Sequence, residues 1–71
     1  SVTSSDFHGA KMRFVELEFS EIQMADFSAA DLLCANFQGS VIHATDFSWA
    51  NLKGVSFTDC QVSDCKFEGA V

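Results

Sequence analysis

Proline and tyrosine are absent from this 71-residue chain, and glycine occurs only four times. The missing proline and scarce glycine exclude a low-complexity linker, and eight phenylalanines supply enough bulk for the chain to order. Basic residues are few: four against ten acids leave a net charge of -6. Lys11, Arg13, Lys53 and Lys66 are too few to neutralise a phosphate backbone, so no direct contact with nucleic acid or an anionic membrane is expected. No apolar run approaches the roughly 18 to 20 residues that cross a bilayer, and no basic-then-apolar leader opens the chain. Three cysteines, an odd number without the close pairs of a zinc ribbon, point to a reducing compartment, and the cytoplasm is the expected location. The length allows one hydrophobic core, not two.

What is present is a strict cadence. Every fifth residue from Phe7 is large and apolar: Phe7, Met12, Leu17, Ile22, Phe27, Leu32, Phe37, Ile42, Phe47, Leu52, Phe57, Val62 and Phe67. Two residues before each runs a series of small or medium side chains, from Ser5, Ala10 and Val15 to Cys60, Cys65 and Ala70. A step of five smears around a helix axis and alternates between the faces of a strand, so neither a long helix nor a long strand satisfies it. A chain that runs extended for about three residues and then bends does, because residues two apart then point the same way. Repeating the bend makes a coil whose interior holds both series. Phe7, Phe27, Phe47 and Phe67 recur every 20 residues, so four pentads close one turn. Successive turns lie about 4.8 Å apart, which brings these rings into a stacked ladder.

The stretches Ala25-Asp26-Phe27, Ala30-Asp31-Leu32, Ala35-Asn36-Phe37 and Ala50-Asn51-Leu52 resemble the A-(D/N)-(L/F)-x-x signature of the pentapeptide repeat family. The resemblance covers nearly the whole chain and implies an all-β fold, a right-handed quadrilateral β-helix of about three and a half coils, roughly 17 Å along its axis. Residues 5–71 form this solenoid in such a reading, with residues 1–4 as a polar lead and the whole as part of a longer solenoid or chain. Val15 and Val55 depart from the small-residue place, and Val41 from the polar one.

Three of every five residues then point outward. Asp6, Asp26 and Asp46 fall in one row that continues to Lys66. Carboxylates about 5 Å apart in water repel by roughly 0.8 kcal/mol per pair, which predicts a raised pKa for the middle one, Asp26. Such a row serves either the backbone turn or, as resemblance to gyrase-protecting members of the family implies, imitation of a phosphate backbone. A second outer set is apolar: Phe14, Phe19 and Met24, each last of its five, with Leu33, Cys34 and Trp49. These either lie flat at corners or form a contact surface, and Trp49 is the strongest single anchor for the latter. Gly9, Gly39, Gly54 and Gly69 occupy the same last place, where a sharp turn is needed.

No catalytic residue, no metal ligand set and no cofactor is expected. Cys60 and Cys65 fall at inward small places, and His8 and His43 lie on different sides without ligand or triad spacing. The expected role is therefore a non-enzymatic solenoid that binds a protein partner or its own copy, end to end. The alternative is an acidic DNA mimic that occupies the DNA site of a type II topoisomerase, DNA gyrase.

Overall fold

The computed structural model describes all 71 residues and contains no helix. Four short strands, β1 (Val2–Thr3), β2 (Glu21–Gln23), β3 (Val41–His43) and β4 (Gln61–Ser63), pair in parallel in the order β1-β2-β3-β4. The register is 20 residues throughout, as in Ile22 opposite Ile42 and Ile42 opposite Val62. Single parallel bridges repeat this register on the other three sides: Asp6, Asp26, Asp46 and Lys66 on one, Lys11, Asp31 and Asn51 on the next, Glu16, Asn36 and Ser56 on the last. Four pentads per coil are therefore observed directly. Parallel neighbours in one sheet joined by such crossovers coil right-handedly, and the fold is the right-handed β-helix that the cadence and the resemblance imply.

The ladder reaches one step further back than a count from Phe7 suggests. Val2, five residues earlier, pairs with Ile22 and packs against the core, so the lead contributes the first strand of the sheet. The molecule is squat. Extents of 22 and 21 Å fit a square cross-section, and the remaining 17 Å matches the height of three and a half coils.

Both inward series fill the axis. Ile22, Phe27, Leu32, Phe37, Ile42 and Phe47 are completely buried, with Ala25, Ala30, Ala35 and Ala50 filling the tight places beside them. Rings stack within columns and meet edge-on between them. Phe7, Phe27, Phe47 and Phe67 follow at centroid distances of 5.0, 5.3 and 5.3 Å with planes within 9°. Phe37 stacks on Phe57 at 5.5 Å and stands at 82° to Phe27 and Phe47. Each such pair adds about 0.5 to 1.5 kcal/mol beyond the area it buries.

The corners explain how a chain without proline turns so often. Every last-of-five residue from Ser4 to Gly69 has a positive φ, and ten of them are not glycine, with φ between +50° and +63°. At nine corners the N–H three residues after the central side chain donates back to that residue's carbonyl, as in Ala30 to Phe27 at 3.0 Å. Only the third of the four turn residues is left-handed, which defines a type II turn. At Leu17 that bond is missing and a buried hydroxyl replaces it. The Ser20 N–H donates to Ser40 Oγ at 3.0 Å, and Ser40 Oγ–H donates to the Leu17 carbonyl at 2.7 Å.

Candidate functional site

The parallel ladder sets the acidic row. Because Asp6, Asp26 and Asp46 are bridge partners one coil apart, their Cα atoms stack in register and their side chains share one outer face. Each carboxylate is also engaged locally. Asp6 Oδ1 accepts the His8 N–H at 2.9 Å, Asp26 Oδ1 the Ser28 N–H at 2.8 Å, and Asp46 Oδ1 the Ser48 N–H at 2.8 Å. Asp31, Asn36 and Asn51 make the same bond to Leu33, Gln38 and Lys53. An Asx side chain that accepts the N–H two residues on closes a turn of its own, so this row holds corners whatever else it does.

Asp26 departs from the sequence expectation. Its pKa is lowered, not raised, because the Ser28 hydroxyl and then the Ser28 N–H donate to the carboxylate, while slight burial opposes them and nearby His8 adds to them. An ionised carboxylate only accepts, so the Ser28 hydroxyl donates to Asp26 at 2.5 Å and receives the His8 Nδ1–H at 2.7 Å. Donors that favour the charged form set the direction of the shift. The order of this string also matters chemically. A serine nucleophile must hand its proton to the imidazole, whereas the Ser28 proton points at the carboxylate and its oxygen is occupied by the histidine.

One charged contact escapes sequence reading. The Arg13 Nε donates to Asp31 Oδ2 at 2.6 Å and lowers the Asp31 pKa, with lesser help from the Leu33 N–H and Asn51. Column arithmetic holds the signal: a residue one place after the central side chain lies beside the residue one place before it in the next coil, 18 positions on. His43 pairs with Ser63 Oγ at 2.8 Å on another side of the coil, in the same one-coil step as His8 with Ser28. Cys60 and Cys65 are half-buried thiols whose Sγ donates to the carbonyls of Phe37 and Ile42. They sit among filler side chains.

The apolar outer set stands out into solvent at the corners. Phe14 is 64% exposed, Phe19 77%, Met24 57% and Trp49 66%. Cys34 is exposed and Leu33 half-buried beside it. The three residues of the first coil occupy three successive corners, and Trp49 stands on the fourth, at the level of the third coil. They are thus dispersed around the molecule rather than gathered on one face. Inward residues are only partly buried toward both ends, at Val2, Phe7, Met12 and Leu17 in the first coil, and are most open at the last, where Val62 is 42% and Phe67 41% exposed.

Among known protein families, the chain matches the family model described as pentapeptide repeats (8 copies) over residues 20–59 and 34–69, together well over half of its length. No curated protein matches it.

Proposed function

Because this chain belongs to the pentapeptide repeat family, whose members are generally structural or binding modules, we propose that it is a non-enzymatic protein-binding or scaffolding unit that engages a protein partner or a second copy. The observation that carries this reading is the corner set. Phe14, Phe19, Met24 and Trp49 expose more than half of their surface each, and each stands at its own corner as a separate apolar anchor for a partner. Trp and Phe supply contact area with few rotatable bonds, and Trp49 is the anchor by its size. The inward residues Val62 and Phe67 are partly open, and another coil of the same cadence, from a second copy stacked end to end or from more of the same solenoid, would cover them.

Replacing Phe19 and Trp49 by serine tests the corner reading without touching the core. Loss of association in light scattering or pull-down, with circular dichroism unchanged, is the expected result; unchanged association removes the reading.

The registered row Asp6, Asp26 and Asp46 favours a second reading, an acidic DNA mimic that binds DNA gyrase and interferes with its hold on DNA. A gyrase supercoiling assay decides it, since a mimic inhibits or protects at micromolar concentration and a scaffold does neither.

A further inference from the structure

The corner columns pair large residues with glycine in a directional way. One coil after Phe19 stands Gly39, and one coil after Trp49 stands Gly69. A Cβ built on Gly39 would lie 2.6 Å from both Cδ1 and Cε1 of the Phe19 ring. One built on Gly69 would overlap Cε3 and Cζ3 of the Trp49 indole and stand 2.6 Å from Cδ2. Both distances are far inside van der Waals contact. Each aromatic side chain therefore leans toward the following coil and occupies the space that a side chain there would fill. The remaining bulky corners differ, since Phe14 is followed by Cys34 and Met24 by Ala44, both of which carry a Cβ. Cys34 and Gly54 repeat the arrangement on a smaller scale, a Cβ on Gly54 lying 2.9 Å from Cys34 Sγ, and among the bulky corner residues the glycine seat belongs to Phe19 and Trp49.

We infer that Gly39 and Gly69 are positioning residues, whose missing side chains form seats that fix Phe19 and Trp49 in one orientation on the outer surface. This rests on the corner-contact reading for its use and on packing alone for its existence. A ring already seated has little rotamer freedom left to lose, so a partner at either corner meets a preorganised ring rather than a mobile one. The positive φ of these glycines, +72° and +68°, is not what requires them. Phe14, Phe19 and Trp49 themselves adopt φ from +55° to +63° at equivalent corners, so a side chain is tolerated there when the space is open.

The molecule contains its own control. Gly9 has φ +67° and nothing within 4 Å of a Cβ built on it. In the full 71-residue chain, Gly9→Ala reports backbone strain alone and Gly69→Ala reports strain plus eviction of the indole. Trp49 is the sole tryptophan, so its fluorescence reads the seat without any partner. The expected result is that Gly69→Ala lowers fluorescence anisotropy, raises acrylamide quenching of Trp49, and drops the Tm roughly twofold more than Gly9→Ala. Equal Tm losses with unchanged anisotropy and quenching overturn the inference. Should Gly69→Ala unfold the chain, the double variant with Trp49→Ala decides: recovery of the fold supports the seat, and continued unfolding overturns it. Gly39→Ala with and without Phe19→Ala repeats the test by Tm at the other corner. Because none of these readouts involves a partner, failure of the seat is distinct from failure of the association reading.

Discussion

At the scale of single residues, the buried hydroxyl of Ser40 does what a buried water does elsewhere, standing between a donor and an acceptor that cannot meet. It is completely buried and joins the Ser20 N–H to the Leu17 carbonyl across two coils. Ser40→Ala removes one atom and strands two backbone groups, and unsatisfied groups of this kind cost about 1 to 3 kcal/mol. Chemical denaturation is expected to show a loss of about that size, whereas Ser20→Ala, whose own hydroxyl reaches only the nearby Glu18 carbonyl, changes little. A neutral Ser40→Ala would mean that the two backbone groups find each other when the hydroxyl is gone. Residue-level reading from sequence is weakest at such points. The expectation of a raised pKa for Asp26 counts like charges along a row and omits the Ser28 donors. Charge-assisted hydrogen bonds made within a turn depend on rotamers that a spacing rule does not contain.

Elements are where the sequence is most legible, because one five-step rule fixes both what points inward and where the chain bends. The interior of the middle coils follows from it residue by residue, including the column of Phe7, Phe27, Phe47 and Phe67. What the rule leaves open is how much each rung is covered, since that depends on neighbours above and below. Phe47 is completely buried between Phe27 and Phe67, whereas Phe67 is 41% exposed and stacks on one side only. Phe47→Ala should therefore cost about 3 to 5 kcal/mol, and Phe67→Ala clearly less, by denaturant titration of the same chain. Equal losses would show that the last coil is as fully packed in solution as the middle, which is what end-to-end stacking of two copies would produce. Repeating the comparison over a range of protein concentration separates these cases, because stacking makes the Phe67 loss grow with concentration. The direction in which corner side chains lean is also missing from the cadence, although the recurrence of glycine one coil after Phe19 and Trp49 is in the sequence for a reader who compares columns rather than pentads.

For the molecule as a whole, ten acids against four bases on a body only 22 Å across make acidity the condition that acts on every coil at once. Two effects run in opposite directions as pH falls from 7. Approach to the isoelectric point near 4.4 relieves self-repulsion and favours both compactness and association. Against it stand Asp26 and Asp31, whose folded pKa values lie below the ordinary 3.8. A carboxylate with a depressed folded pKa contributes its full stabilisation above the unfolded value and loses it as pH drops through the folded one, because the unfolded chain then binds protons first. The two effects separate on the pH axis, since self-repulsion is relieved before these carboxylates protonate. Tm measured against pH should thus hold or rise slightly down to about the isoelectric point and then fall below roughly pH 4. Asp31→Asn removes the contact with Arg13 as an ion pair, and Asp26→Asn weakens the Ser28 turn, so each variant should begin with a lower Tm at neutral pH and show a shallower acid limb. An acid limb of unchanged depth in both variants would place the acid sensitivity in other carboxylates. A limb that persists only at low salt would assign it to net positive charge on the protonated protein, because screening acts on that repulsion far more than on hydrogen bonds made within a turn.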